Sequence, residues 1–177
     1  MDPRNYSASE ILRDGTPVTI RAIRRDDESL LLEAFKSLDR ESVYRRFFSP
    51  KKELSDSELE QLTDVDFNQI VALVVTTQGV DGEILIGGGR YAFEGAGSNQ
   101  AEIAFMTDSN YRGRGIASLV LSHLMRIARE TGVSRFEAEV LAENQPMLAV
   151  FRRSGLPMHL KRDGSILHVT LSLQNET

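Results

Sequence analysis

Polar and apolar residues alternate along ILRDGTPVTIRAI, with Asp14-Gly15 near the centre. A period of two is strand-like and Asp-Gly favours a tight turn. The stretch therefore predicts a β-hairpin with Val18, Ile20 and Ala22 on one face. RRDDESLLLEAFKSL then changes to helical spacing, with acids near its positive end. Residues 39–64 predict two short helices broken at Ser49-Pro50, the second starting near Ser55. NQIVALVVTT is almost continuously apolar, as a buried strand is. Gly79 to Gly82 turn the chain into EILIGGGRYAF, GAGSNQ turns it again, and AEIAFMT completes a three-strand meander. No helical pattern follows the triple glycine at 87–89. It is read as a bulge or a close packing contact rather than a phosphate loop.

Helical periodicity returns after NYRGRG. Ile116, Leu119, Val120, Leu124 and Ile127 recur at spacings of three and four, so one face of a long helix is buried, and Gly132 ends it. SRFEAEVLA predicts a strand. A short helix follows over about 145–154, with Pro146 in its first turn and Gly155 just past its end. MHLKRDGSILHVTLSL predicts a closing hairpin about Asp163-Gly164. This order predicts one α/β domain over 1–177, with its core over about residues 17–173 and a mixed sheet.

Composition removes several kinds of chemistry. The 177 residues are 41% hydrophobic and 27% charged, in the ordinary globular range. There is no cysteine, so disulfides, thiolate metal sites and a thiol nucleophile are excluded. The net charge of −5 gives no general attraction to nucleic acid. RRFFSPKK (45–52) is the one basic exception, best explained as a solvated helix end and loop. MDPRNYSASE has no apolar run and no segment has membrane-spanning length, so no membrane partner is expected and a cytoplasmic address is. His123, His159 and His168 show no ligand spacing; none is expected to bind metal, and His123 is expected to be exposed on the long helix.

The stretch NYRGRGIASLV (110–120) carries the chemistry. Gly113 and Gly115 are poor helix formers placed where a helix must begin. Glycine suits positions where φ is positive or where a ligand approaches the backbone. Free N–H groups and the dipole at a helix start then make an anion cradle. Ile116-Ala117 stand where a nucleoside-triphosphate loop would need Lys-Ser/Thr, so the phosphate is of another kind.

Arg112-Gly113-Arg114-Gly115-Ile116-Ala117 resembles the Arg/Gln-x-x-Gly-x-Gly/Ala signature of the GNAT family of N-acetyltransferases, and it lies where that family places it, before the long helix. Asn144 and NQPMLAVFRRSGL resemble the family's second landmark. LRDGTPVTIRAIRRDD, ESVYRRFFSPKKELS and AEIAFMT are further similar to the acetyltransferase domain of bacterial Pat-type protein-lysine acetyltransferases. The resemblance covers nearly the whole chain. It implies a GNAT-like domain with a mostly antiparallel central sheet flanked by helices.

It also implies roles. Acetyl-CoA would be the co-substrate, its pyrophosphate held by backbone donors from Gly113 to Ser118, with Ile116 and Ala117 between them. Arg112 and Arg114 would add charge there, or be solvated loop charges. The backbone of Phe105, Met106 and Thr107 would pair with the pantetheine arm, and the Met106 N–H would face the developing oxyanion. Asn144 would bond the arm or simply cap its helix. Phe151 stands where many relatives have a proton-donating Tyr, which leaves the general acid unassigned; its ring would lie beside the arm or in the core. The Pat-type enzymes have their catalytic Glu at the position of Glu102. Alternation puts Glu102 with Ala104 and Met106 on one face of a middle strand, where burial would raise a carboxyl pKa; the alternative is a Glu on the solvent side of the sheet. Glu137 and Glu139 are the rivals. Tyr44, Arg45 and Arg46 fall where the family builds its acceptor rim, although helix packing also explains them. The implied acceptor is a protein lysine, on an acyl-CoA synthetase for example; a small amine and a CoA sensor without turnover are the alternatives.

Overall fold

The computed structural model describes residues 2–36, 54–95 and 97–174. The first of the two helices expected between 39 and 64 lies outside them, as do Tyr44, Arg45, Arg46 and the basic stretch. The strands are β1 (Ser7–Ile11), β2 (Pro17–Ala22), β3 (Ile70–Gly79), β4 (Gly82–Phe93), β5 (Gln100–Thr107), β6 (Arg135–Leu141), β7 (Met158–Asp163) and β8 (Ile166–Ser172). The helices among the described residues are α1 (Glu28–Lys36), α2 (Asp56–Thr63), α3 (Ile116–Glu130) and α4 (Gln145–Arg153). One eight-stranded sheet has the order β1-β2-β3-β4-β5-β6-β8-β7. All its pairs are antiparallel except β5 with β6, which α3 links as a crossover.

Both hairpins and the meander form where the alternation places them. β1 begins at Ser7, earlier than the apolar pattern suggests, because SASEI is an exposed edge strand paired only with β2. Ser55 caps α2 by accepting from the Glu58 N–H at 3.2 Å, while the Glu58 carboxylate accepts from the Ser55 N–H at 3.3 Å.

Two apolar layers hold the sheet. On one face Val120, Leu124 and Ile127 of α3 pack with Tyr91, Ile103, Phe136, Val169 and Leu171, and Leu12 belongs to the same core. On the other, Leu31 and Phe35 of α1 and Leu59 of α2 cover Ile23, Ala72, Val74 and Leu85. Among the described residues, Met106 is the apolar residue of β5 packed against this second layer. The start of α1 is fixed by a buried ion pair. Arg21 donates to both Asp27 oxygens, at 2.8 and 2.7 Å, and Asp27 also accepts from the Arg24 N–H at 2.7 Å. Burial opposes the Asp27 charge, yet these bonds keep its carboxyl below the usual carboxylate range.

The triple glycine is a packing contact, and a bulge adjoins it. The β3–β4 register slips between Val75 and Thr76, where Ile86, just before Gly87, is the extra residue of β4. A Cβ at Gly88 would meet the Leu73 carbonyl oxygen at 2.6 Å. At Gly89 it would meet Phe105 and Val120 at 2.8 Å, and at Gly87 the Ile116 side chain at 2.8 Å. Bare backbone here seats the N-terminal half of α3 directly on the sheet, which sets the height of the loop before it.

His123 corrects the expectation of exposure: it is 3% exposed. The turn before β1 and β1 itself cover that side of α3. The Tyr6 hydroxyl bonds His123 Nδ1, and Glu10 lies 2.9 Å from Nε2. A helix pattern cannot show that an edge strand will lie over its polar side.

Candidate active site

β5 and β6 pair at only three positions, Gln100 with Arg135, Ala101 with Phe136 and Glu102 with Glu137. Beyond Glu102 the strands part, although β5 runs on to Thr107 and β6 to Leu141. The opening holds a cavity of about 510 Å³, within the usual size of ligand sites. Its walls are Glu102–Thr107 of β5, Ala138–Val140 of β6, the loop and first turn at 111–118 apart from Arg114, and the inner side of α4. On the β4 side β5 remains fully paired from Ala101 to Thr107. Its free backbone groups therefore face the gap.

The loop reaches the gap for local reasons. Asp108 accepts from the Asn110 N–H at 2.8 Å and starts the single 3-10 turn Ser109–Tyr111. Gly113 then has φ +75° and Gly115 φ +89°, values that favour glycine over any residue with a Cβ. Gly115 itself occupies the N-cap of α3, with no side-chain hydrogen bond capping the helix start. The first intrahelical bond runs from Leu119 N–H to Gly115 O at 3.0 Å, which leaves the N–H groups of Ile116, Ala117 and Ser118 without helical acceptors. Open space adjoins Gly113: a Cβ there would meet nothing within 4 Å. The loop and helix start thus have the backbone form expected of an anion cradle.

All the expected cofactor residues except Arg114 line this one cavity: Phe105, Met106, Thr107, Arg112, Gly113, Gly115, Ile116, Ala117, Ser118, Asn144 and Phe151. Arg114 departs from the expected phosphate contact. It pairs with Asp14 at 2.9 Å, donates to the Asn110 carbonyl at 3.1 Å, and lies 4.7 Å from the Tyr111 ring centroid. Asn144 does cap α4, its Oδ1 accepting from the Met147 N–H at 3.3 Å, and Nδ2 is left as the side-chain donor at the cavity wall. Phe151 is 1% exposed and belongs to the core and the wall at once, its ring 6.2 Å from that of Phe105.

Glu102 lines the same cavity, at the point where the strands part. Its expected burial is corrected, because the side chain is exposed. The layer of α1 and α2 stops short of this part of β5, so alternation gave the face correctly but not its cover. On neighbouring β4, burial pushes the Arg90 guanidinium below its usual pKa, and the Glu102 charge opposes that shift. Glu137 lies beside Glu102 by register and 3.7 Å from Arg135 Nε. Glu139 stands 3.5 Å from His168 Nδ1 and also touches the cavity. No group of His and acidic residues able to hold a metal occurs among the described residues.

Sequence reasoning missed Arg13. It lies in the turn between β1 and β2, lines the cavity, and sits against Gly115. Nothing local to position 13 signals this, because the contact joins residues about a hundred positions apart.

The profile of the Acetyltransferase (GNAT) family matches residues 33–156. Acetyltransferase Pat of Mycolicibacterium smegmatis is 33% identical over 144 residues, which are 81% of this chain and 42% of that protein. Acetyltransferase PA5475 of Pseudomonas aeruginosa is 32% identical over 139 residues, 78% of this chain and 74% of that protein. The chain thus spans less than half the length of the first of these relatives. The crystal structure of the GNAT domain of S. lividans PAT superposes with a TM-score of 0.84 at 33% identity, covering 94% of this chain and 96% of that one.

Proposed function

From a chain that belongs to the GNAT acetyltransferase family, whose acyl donor is acetyl-CoA, we propose an enzyme that acetylates the ε-amine of a protein lysine, with Glu102 as general base. One observation carries this reading. A glycine cradle, a strand with a free backbone edge and a carboxylate all line a single cavity. Similarity to the relative named Pat and to the GNAT domain of PAT supports the choice of a protein lysine, with an acyl-CoA synthetase as the proposed target.

In this reading the N–H groups at the start of α3 hold the pyrophosphate, with the dipole adding a favourable field. The arm lies in the gap, where the edge of β5 offers it the hydrogen bonds of an added strand. Asn144 Nδ2 donates to the arm. The chemistry is limited by the acceptor. A lysine with pKa near 10.4 is protonated at neutral pH, and releasing its lone pair at pH 7 costs about 4.6 kcal/mol. Glu102 takes that proton, directly or through one water. The amine attacks the thioester carbon, the Met106 N–H faces the oxyanion, and CoA leaves as a thiol or thiolate. With no cysteine in the chain, transfer is direct and no acyl-cysteine forms. The exposure of Glu102 favours a large acceptor, because the docked partner itself would shield the base from water.

The Glu102→Gln substitution tests the base. It should lower turnover about 10²- to 10⁴-fold, with acetyl-CoA affinity unchanged and a deficit that shrinks as pH approaches the lysine pKa. Wild-type turnover of this variant at pH 7 would remove Glu102 from the mechanism and direct attention to Glu139. For the acceptor, mass spectrometry of acetylated cell extract should show a few strongly preferred lysines. Rapid turnover of spermidine or free lysine, with no preferred protein site, would move the assignment to a small-amine enzyme.

A further inference from the structure

We propose that Arg13, in the turn between β1 and β2, contributes a guanidinium to the pyrophosphate of the acyl donor. The proposal rests on the reading of residues 112–118 as an acetyl-CoA cradle. It concerns a residue outside the signature.

The cradle lacks a charge it was expected to have. Arg114 is held by Asp14, by the Asn110 carbonyl and against Tyr111, and it does not line the cavity. The same contacts bring the hairpin turn to the loop. Asp14 is the residue that grips Arg114, and the Arg13 N–H approaches the Arg114 carbonyl oxygen at 3.5 Å. Arg114 is therefore a strut between two turns, and docking at position 14 fixes where residue 13 must lie.

That place is the cradle itself. A Cβ on Gly115 would come 3.1 Å from Arg13 Nε and 3.5 Å from Cζ, so the guanidinium rests against the glycine that opens α3. Arg13 lines the cavity with Arg112, Gly113 and Ser118. No carboxylate among the described residues pairs with its side chain. A guanidinium has five donors in a planar fork suited to phosphate oxygens. Resting against the N-cap glycine of α3, it supplies the anion site with a second wall. The N–H groups bind from the helix and Arg13 from the hairpin, with the pyrophosphate between them.

The experiment compares wild type, Arg13→Ala and Arg13→Lys with three donors: acetyl-CoA, acetyl-dephospho-CoA, which keeps the pyrophosphate, and acetyl-pantetheine, which has none. Loss of one charge-assisted contact should lower kcat/KM about tenfold for the first two donors in Arg13→Ala, mainly through KM. Acetyl-pantetheine should react equally with wild type and variant, and Arg13→Lys should recover part of the loss. Thermal melting, read by circular dichroism, should be unchanged.

A penalty seen with acetyl-CoA but not with acetyl-dephospho-CoA would assign Arg13 to the 3′-phosphate and overturn the proposal. So would a penalty that persists with acetyl-pantetheine, since it would mark a structural role, or no penalty with any donor. Calorimetry separates the two levels. Wild type that fails to bind acetyl-CoA removes the cradle reading and this inference together, whereas equal binding by wild type and Arg13→Ala removes Arg13 alone.

Discussion

Gly87–Gly89 in β4 and Gly113 with Gly115 before α3 are both glycine clusters, and they need glycine for opposite reasons. The first is crowded: Cβ atoms there would fall 2.6–2.8 Å from neighbouring atoms, while none of the three has positive φ. The second is strained: φ is +75° and +89°, and no backbone atom crowds either position. One cluster brings helix and sheet together. The other holds a backbone open. A glycine-rich string alone does not distinguish them, but the tolerance of each site to a methyl group will.

The largest effect on stability is expected at Gly88→Ala. The new methyl meets the Leu73 carbonyl, which is backbone and cannot swing aside. A loss of about 3 kcal/mol, at the upper end of overpacking costs, should lower the melting temperature by roughly 10 °C. Acetyl-CoA affinity of the folded fraction should survive. A variant as stable as wild type would break the comparison on its crowded side.

Gly115→Ala comes next, and it should act on a different quantity. A left-handed alanine costs about 1–2 kcal/mol. The methyl would also press on Arg13 at 3.1 Å, so acetyl-CoA affinity should fall about tenfold with only a few degrees lost in melting. Calorimetry and melting on one preparation measure both. If affinity held while stability collapsed, Gly115 would belong with the crowded cluster.

Gly113→Ala should be the mildest. Its Cβ enters open space, so backbone strain of about 1 kcal/mol is the whole cost. Acetyl-CoA affinity should change less than about threefold, the effect of well under 1 kcal/mol at the ligand. A loss as large as that at Gly115 would show that the phosphate lies over Gly113 instead.

Much of the fold and the backbone form of the loop before α3 were legible because they rest on local rules. Alternation with Asp-Gly turns gave both hairpins, and helical spacing with a following glycine gave α3. The signature gave the loop with its free N–H groups. What was not legible depended on cover and on distance along the chain. Glu102 lies on the face that alternation gives it, yet its exposure depends on where α1 and α2 end, which no property of β5 records. His123 is buried by β1, a polar strand with no apolar signal of its own. Arg114 is drawn away from the cavity because Asp14, a hundred residues away, takes hold of it, and Arg13, which carries no local signal, lies against Gly115. Such contacts follow from topology, and a window of sequence does not contain them.

The short pairing of β5 with β6 bears on how the protein fares in a cell. From Ile103 onward one side of a central strand has no paired strand among the described residues, so the sheet is left incomplete. A donor molecule lying in that gap binds the folded chain and not the unfolded one. Occupancy at a hundred times the dissociation constant adds about 2.7 kcal/mol to stability. Abundance would then follow the acyl-donor pool: in well-fed cells the enzyme resists proteolysis, and when the pool falls it becomes easier to clear. On the proposed reading of the gap, the protein's lifetime would become a readout of acyl-donor supply.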